Sequence, residues 1–403
     1  MSILTRCIGA LAAIVLCSTA ASATDWPHWR GPNYDGISHE KGLRTTWDDS
    51  GPKILWQRED LGSAYSSFAC VGNRVFTCGT QDDKQVLFCL DAKTGNDIWK
   101  RPFAPAHDDS QGSGTRATPT VDGKRVYILG AKGRLACVDS ESGDEVWSHQ
   151  FNHPPQWGYS GSVLIQGDLA ITSPGKSDGA LCALDKKTGK PMWTCGDAAA
   201  GYATPYPFTF NGKRYVCGFM AKEAIIAELE TGKLALSMPW ETDWNVNAAT
   251  PIFHDGQLFL SSGYQTGCAL FKLGTDSSSG LSAAEVWRSK VLMNKFQTPV
   301  LYQGKLYSND QKCLSCVDFL TGKREWRMRR GKHGTIVLAN GYLILLTERG
   351  ELEIAKADPA EYSPTAKAKV LEGRCWVVPV LSGGKLYVRN MEKSLCLGLD
   401  KGS

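Results

Sequence analysis

The sequence has little of what marks a metalloprotease, a haem protein, a membrane-spanning protein or a nucleic-acid binder. Its seven histidines form no HExxH pattern, no CxxCH motif occurs, and no apolar run after residue 23 is long enough to span a bilayer. The segment WGYSGS (157–162) lacks the GxSxG register of a nucleophile elbow. A net charge of +4 over 403 residues argues against a general nucleic-acid binder, which needs a basic face. No catalytic residue is assigned from the sequence.

The sequence does contain a repeat that ends in tryptophan. Each copy begins with a turn of the pattern Asp-x-x-Thr/Ser-Gly and continues as a short strand-like run that ends in Trp. The copies are LDAKTGNDIW (90–99), VDSESGDEVW (138–147), LDKKTGKPMW (184–193), VDFLTGKREW (317–326) and, more loosely, AELETGKLALSMPW (227–240). Trp56 and Trp287 end similar runs without the full turn. From Trp56 to Trp326 these tryptophans recur every 39 to 48 residues, which is the period of a four-stranded propeller blade.

Each unit begins with a second signature, a short apolar run, an x-Gly pair and an alternating run. This pattern predicts a two-residue β-hairpin, as in ATPTVDGKRVYILG (117–130). Eight such first strands occur, at Phe68, Pro119, Val163, Tyr206, Pro251, Pro299, Ile336 and Pro379. The last unit has no fourth strand of its own, and GPKILW (51–56) has the pattern to supply it. The sequence therefore predicts an all-β, eight-bladed propeller of four-stranded repeats, closed by an N-terminal strand.

The carboxylates in the repeated turns have a structural explanation. In DxxTG the Asp side chain is expected to accept hydrogen bonds from the following backbone amides, and Gly takes the positive φ of a tight turn. A calcium loop would keep its other carboxylates from copy to copy, whereas the residues between Asp and Thr vary freely. The tryptophans are predicted to wedge between neighbouring blades. They are Trp56, Trp99, Trp147, Trp193, Trp240, Trp287 and Trp326.

The repeats resemble those of the pyrroloquinoline-quinone-like (PQQ-like) β-propellers, which quinoprotein dehydrogenases share with assembly lipoproteins of the BamB type. The resemblance rests on [LV]D-x-x-TG-x-x-x-W and on xP-x-V-x-x-G-x-[LV]Y, and it covers nearly the whole chain. DWPHWRGPNYDGIS (25–38) is also similar to the N-terminal signature of exported members. The resemblance is specific for the fold and much less specific for activity.

This sequence lacks typical features of both branches of the family. The dehydrogenases typically stack PQQ between a Trp and a disulfide of adjacent cysteines and bind calcium through Glu, Asn and Asp, but this sequence has no Cys-Cys dipeptide and lacks their long insertions. The assembly factors normally carry a lipid anchor, which Leu16-Cys17 does not support. We therefore expect a non-catalytic scaffold that binds a protein, a peptide or a small polar ligand. The alternative is an oxidoreductase that binds PQQ with calcium in the central funnel.

The cysteines are expected to be structural. Six of the 14 lie at corresponding places on the third strands of different blades, where they are poorly placed to pair, namely Cys89, Cys137, Cys182, Cys316, Cys396 and, roughly, Cys268. Cys313 and Cys316 lie at an odd spacing on one strand and point to opposite faces. No second cysteine pair stands nearby to complete a zinc site, so no metal site is predicted.

The links between blades differ from one another and are rich in aromatic, amide and basic groups, and function on a rigid scaffold usually sits on such loops. The last residues of the links are predicted to ring the channel mouth and to bind a flat, polar or anionic ligand. They are Tyr65, Arg116, Tyr159, Tyr202, Asn247, Gln297, His333 and Trp376. The alternative is that these side chains fill the shaft and hydrogen-bond one another. The basic run Arg327, Arg329, Arg330 and Lys332 is interpreted as a solvated link.

Residues 1–23 have the layout of a cleavable export signal. A basic Arg6, an apolar run from Ile8 to Leu16 and Ala21-Ser22-Ala23 follow in order. We expect cleavage near Ala23, a single propeller domain over residues 24–403, and a monomer that works in the periplasm or after secretion.

Overall fold

The computed structural model describes residues 25–275, 280–331 and 333–400. The predicted export signal, its cleavage site at Ala23 and Lys332 lie outside these residues. Strands are numbered along the chain, so β1 (Ile37–Ser38) and β2 (Ile54–Arg58) precede the first blade. The described residues form eight sheets, and seven of the blades run as meanders of consecutive strands. The first strands of several neighbouring blades contact one another around the central channel.

The strands of blades 1 to 4 are, blade by blade, β3 (Ala69–Val71), β4 (Arg74–Gln81), β5 (Lys84–Asp91), β6 (Asp97–Pro105); β7 (Thr120–Asp122), β8 (Arg125–Leu129), β9 (Arg134–Asp139), β10 (Glu145–Gln150); β11 (Leu164–Gln166), β12 (Leu169–Thr172), β13 (Leu181–Asp185), β14 (Pro191–Cys195); and β15 (Tyr206–Phe210), β16 (Lys213–Phe219), β17 (Glu223–Glu228), β18 (Leu234–Pro239). Two short 3-10 turns, Lys176–Asp178 and Asp243–Asn245, lie within blade 3 and after blade 4.

The strands of blades 5 to 8 are β19 (Ile252–His254), β20 (Gln257–Ser262), β21 (Gly267–Gly274), β22 (Ser282–Ser289); β23 (Val300–Tyr302), β24 (Lys305–Asn309), β25 (Cys313–Asp318), β26 (Arg324–Arg329); β27 (Gly334–Ala339), β28 (Tyr342–Thr347), β29 (Glu351–Lys356), β30 (Pro364–Lys369); and β31 (Val380–Ser382), β32 (Lys385–Arg389), β33 (Ser394–Gly398). Blade 8 takes its fourth strand from β2, because Ile54 pairs with Leu397 and Trp56 with Cys396. The eight-bladed fold closed by an N-terminal strand is therefore confirmed.

The Asp of each repeated turn caps the turn that follows it. Asp91 Oδ1 accepts hydrogen bonds from the backbone N–H of Lys93 and of Thr94 and from the Thr94 hydroxyl, at 2.8–3.0 Å. Asp185 accepts the same three bonds in blade 3. These bonds satisfy amides that the tight turn leaves without backbone partners, so the carboxylates act as turn caps.

The tryptophans of the outer strands lie against the turns of the next blade. Trp99 of blade 1 donates its indole N–H to the carbonyl of Ser140 in blade 2 at 3.2 Å. Gly143 in that turn has a φ of 74°, and a Cβ there would lie 2.6 Å from the Trp99 ring, so only glycine fits. Equivalent indole hydrogen bonds join Trp56 to Ala92, Trp147 to Lys186, Trp287 to Phe319 and Trp326 to Asp358.

Two of the predicted wedge tryptophans differ from this pattern. Trp193 contacts Gly232 of the next turn, but its buried indole nitrogen has no hydrogen-bond partner. Trp240 donates instead to the hydroxyl of Ser262 in blade 5 and packs edge-on against Phe219 and Phe271. Both residues still lie between neighbouring blades.

The fourth strand of every blade carries a register shift beside its tryptophan or the equivalent residue. In blade 2, Glu145 pairs with Val138 and Trp147 with Cys137, so Val146 is an extra residue that bulges out. A bulge bends a strand and interrupts its ladder of hydrogen bonds. The outer edges of the blades are therefore poor templates for the addition of a further strand.

The N-terminal segment, residues 25–38, runs through the central channel and is called the channel segment below. Its backbone and side chains bond to the inner strands of six blades or to the residues just before those strands. The bonds join Trp26 to Cys70, Pro27 to Val121, Trp29 to Thr250, Arg30 to Thr298 and Pro299, Tyr34 to Ile165 and Gly36 to Leu338. Its last residues form β1, which pairs in parallel with β27 and makes the sheet of blade 7 five-stranded.

The described cysteines are all buried and unpaired, in agreement with a structural role. Burial raises the pKa of Cys78 and of Cys217 to about 12, so both stay protonated thiols at neutral pH. None of the described helices is long and apolar enough to cross a membrane.

Candidate functional site

A cavity opens where the inter-blade links meet, and it is called the funnel below. Its volume is about 520 Å³, within the range of ligand pockets. The walls come mainly from the links and the residues that lead into the inner strands, and Tyr264 comes from a turn within blade 5. Trp29 of the channel segment lines the funnel, and its indole N–H donates to the Thr250 hydroxyl at 3.0 Å. The channel segment therefore forms the floor of the funnel.

The structure places four of the eight sequence-predicted residues on the funnel wall, namely Tyr65, Arg116, Tyr202 and Trp376. The Tyr65 and Trp376 rings stack with their centroids 5.6 Å apart. The Arg116 guanidinium lies over the Tyr65 ring at 5.3 Å. Residues from three different links thus meet on one wall.

Two other predicted residues hydrogen-bond to the scaffold away from the funnel. The buried Tyr159 donates its hydroxyl to the carbonyl of Pro174 at 2.8 Å. The fully buried Asn247 donates to the carbonyl of Met220 at 2.8 Å, and its Oδ1 accepts from the Thr242 hydroxyl at 2.8 Å. These bonds fix the links before blades 3 and 5.

Gln297 and His333 form a pair behind the wall. Gln297 is 2% exposed, and its Nε2 lies 2.9 Å from His333 Nδ1. The His333 ring contacts Phe296 at 5.0 Å and Trp376 at 5.9 Å, and both of these residues line the funnel. The pair therefore supports two wall residues from behind.

The two charged side chains that line the funnel are both basic. Arg116 donates to the carbonyl of Gly112 at 2.8 Å and lies 3.6 Å from Asp109, while its Nε has no hydrogen-bond partner. Burial lowers the pKa of Arg116 from its usual value, although an arginine remains charged at neutral pH. Lys295 lies 5.0 Å over the Tyr264 ring. Among the described residues that line the funnel, Arg116 and Lys295 are charged and none is a carboxylate.

Sequence reasoning missed several aromatic residues of the funnel, namely Trp29, Trp157, Trp244, Tyr264 and Phe296. The Trp157 ring lies 5.9 Å from that of Tyr202 on the wall. The signal for Trp157, Trp244 and Phe296 was present, because each lies in one of the variable links. Trp29 and Tyr264 carried no such signal, since one lies in the channel segment and the other in a turn within blade 5.

Trp244 and Tyr264 have unusual backbone conformations. Their φ angles are 62° and 52°, and the residues that follow them, Asn245 and Gln265, also have positive φ. Positive φ is strained for bulky side chains, and such strain concentrates at functional sites. Trp244 is 65% exposed at the mouth.

The described lining of the funnel does not suit calcium, which the PQQ-binding alternative requires. Calcium takes several oxygen ligands, commonly including carboxylates, and the described lining offers two cations and no carboxylate. Over the described residues, no cluster of three or more His, Cys, Asp or Glu side chains is close enough to hold a metal ion.

One possible nucleophile was overlooked in the sequence. Residues 175–179, GKSDG, do match GxSxG, and Ser177 Oγ lies 2.6 Å from His153 Nε2. Ser177 is exposed and neither residue lines the funnel. Among the hydrogen bonds of the described residues, His153 has no carboxylate partner to orient its ring as in a catalytic triad. The pair is therefore interpreted as a surface hydrogen bond.

Comparison with known families connects this fold to two groups of proteins. A sequence model of the family described as "Outer membrane protein assembly factor BamB" matches residues 45–195 and 83–328. BamB from Burkholderia pseudomallei is 24% identical over 339 residues, which is 81% of this chain and 82% of that protein.

The second group consists of dehydrogenases. The quinoprotein alcohol dehydrogenase PedH of Pseudomonas putida is 34% identical over 135 residues, which is 33% of this chain but only 21% of PedH. The crystal structure of quinohemoprotein alcohol dehydrogenase from Comamonas testosteroni superimposes with a TM-score of 0.67 at 12% identity, covering 96% of this chain and 82% of that one. These likenesses confirm a PQQ-like propeller related to both groups, and the structural one concerns the fold alone.

Proposed function

Since this chain belongs to the family described as outer membrane protein assembly factor BamB, we propose that it is an exported, non-catalytic binding protein that holds its partner at the funnel and the surrounding links. The partner is a protein, as the name of the family suggests. Export rests on the signal-like residues 1–23, with cleavage near Ala23 and the mature chain in the periplasm.

The observation that carries this proposal is the asymmetry of the two ends of the propeller. The turn end repeats nearly the same capped turns from blade to blade. The link end has an aromatic funnel in which Trp244 is 65% exposed despite its strained backbone. An exposed tryptophan beside a pocket is typical of a binding hot spot. The bulged outer strands favour this end over strand addition at a blade edge.

A comparison of two double variants tests the proposal. Trp244→Ala with Lys295→Ala changes the link end, and Met192→Ala with Lys187→Ala removes an exposed apolar and an exposed basic side chain far from the funnel. Both variants should remain folded. In a cross-linked pull-down from periplasmic extract, the first should lose the captured partner and the second should retain it. Loss of the partner in the second variant alone would show that the binding end is wrongly assigned.

The quinone-dependent alternative has its own measurement. Added PQQ and calcium should produce no calcium-dependent change in the absorbance spectrum of the purified protein, because the described lining of the funnel has no carboxylate to hold calcium. A saturable, calcium-dependent spectrum that Trp244→Ala abolishes would favour the dehydrogenase branch.

A further inference from the structure

The funnel carries three separate aromatic surfaces around one opening. One consists of Tyr65 and Trp376, and a second consists of Trp157 and Tyr202. The third comprises Trp244 and Tyr264, whose loops are joined by a hydrogen bond from the Thr266 hydroxyl to the carbonyl of Glu241 at 3.4 Å. The first two surfaces come from different links, and the third comes from a link and a turn within blade 5. This arrangement suits a ligand with several rings in sequence.

Polar groups lie between these surfaces. The amides of Gln111 and Gln156 and the hydroxyls of Ser110 and Ser160 line the same cavity. A flat aromatic ligand would leave these groups facing a ring edge that offers few partners. A pyranose ring has C–H faces that pack on aromatic rings and hydroxyls around its edge that hydrogen-bond to amides. The mixture of aromatic and polar lining therefore favours a saccharide.

The charges of the funnel select among saccharides. Arg116 and Lys295 lie in a lining without carboxylates, and Arg374 stacks over Trp376 at 4.5 Å. Arg116 Nε and Trp376 Nε1 are buried donors without hydrogen-bond partners. Unpaired buried donors are costly, and an anionic acceptor near them forms the stronger, charge-assisted type of hydrogen bond. A neutral sugar would use none of this positive potential.

From these three features we infer that the funnel binds an acidic oligosaccharide, with successive pyranose rings on the aromatic surfaces and a carboxylate or sulfate held by Arg116 and Lys295. This inference rests on the proposed function, because it assigns the funnel itself to a saccharide at the same end of the propeller, while the protein partner contacts the links around the funnel. The backbone strain at Trp244 and Tyr264 agrees with it, since both rings are held toward the opening rather than packed into a core.

Isothermal titration calorimetry on the full mature chain at low salt tests the inference. Trigalacturonate supplies carboxylates, a κ-carrageenan tetrasaccharide supplies sulfates, and maltotriose is the neutral comparison. One of the two acidic probes should bind at least about tenfold more tightly than maltotriose, and its affinity should fall as salt is added. The tighter acidic probe identifies the anionic group.

Variants locate the binding. Trp244→Ala and Lys295→Ala should each weaken the acidic probe about tenfold or more, which is the size of effect expected for losing one good contact. Met192→Ala and Lys187→Ala are matched changes outside the funnel and should leave affinity unchanged. Equal loss in the matched variants would overturn the assignment of the site.

Two further probes separate this inference from its competitors. Indole-3-acetate represents a flat aromatic acid, and tetra-aspartate represents an acidic peptide. Tighter binding of either one than of the acidic saccharides would overturn the inference, as would no binding of any saccharide. If the saccharides fail while the link-end variant still loses its captured protein, the ligand class is wrong and the proposed function stands. If the link-end variant also keeps its partner, both are wrong.

Discussion

Replacing Trp56 with alanine should weaken the closure of the ring. Trp56 is 7% exposed, lies on the N-terminal strand that completes blade 8, and packs against Gly95 in the DxxTG turn of blade 1. Its indole donates to the carbonyl of Ala92 at 3.3 Å, and its ring lies 5.8 Å from that of Tyr387. Emptying a site of this size typically costs about 3–5 kcal/mol, and the Ala92 carbonyl would lose its partner as well.

The assay is denaturant unfolding of wild type and variant, compared by the midpoint of the transition. Trp244→Ala is the matched control, because the same substitution at a 65% exposed tryptophan leaves no internal cavity. We expect a clear fall in the midpoint for Trp56→Ala and a change within about 0.5 kcal/mol for Trp244→Ala. Equal midpoints for the two variants would refute the idea that Trp56 holds blade 8 to blade 1.

Three further outcomes are expected. Gly143→Ala should lower the melting temperature more than Gly167→Ala does. Both glycines have positive φ, but only Gly143 faces a tryptophan ring, that of Trp99. An equal fall in melting temperature would contradict this packing. Asp91 accepts hydrogen bonds, above all from the backbone N–H of Thr94, and these bonds hold the pKa of its carboxyl below the unfolded value near 4. Its contribution to stability is therefore full above about pH 4 and is lost as the pH falls through the folded-state pKa. The stability difference between wild type and Asp91→Asn should therefore shrink below pH 4 in acid titrations, and a constant difference would count against it. Arg389→Met should lower the free energy of unfolding by about 3 kcal/mol, because the buried guanidinium donates to the carbonyls of Cys78 in blade 1 and Gly62 in the link before it. An unchanged denaturation midpoint would show that stability does not need these bonds.

The fold was predictable because its signals are local and repeated. An x-Gly hairpin, a capped DxxTG turn and a tryptophan recur within each unit of some 40 residues, so each copy supports the interpretation of the others. The missing fourth strand of blade 8 identified GPKILW as its partner, and the pairing of Ile54 with Leu397 agrees. The positive φ of Gly143 is also the conformation that the DxxTG turn predicts for its glycine.

The site was predictable only in part, because a link does not show which way its side chains point. Tyr65 and Trp376 stack on the funnel wall, whereas Asn247 and Gln297, at equivalent positions of other links, turn into the scaffold. That difference depends on which acceptors the neighbouring blade offers. Gln297 and His333 hydrogen-bond to each other, as expected if the link residues bond one another instead of a ligand.

By itself the sequence determined the architecture, because blade formation depends on short-range patterns of apolar residues, turns and tryptophans that can be read along the chain. Only the tertiary structure showed that the channel segment crosses the ring, with Trp26 at blade 1 and Arg30 at blade 6, and that Trp29 forms the floor of the funnel. It also brought Arg116 and Lys295 into one lining without a carboxylate. These features join single, unrepeated residues from distant parts of the chain, and such contacts are set by the closure of the ring rather than by any local pattern.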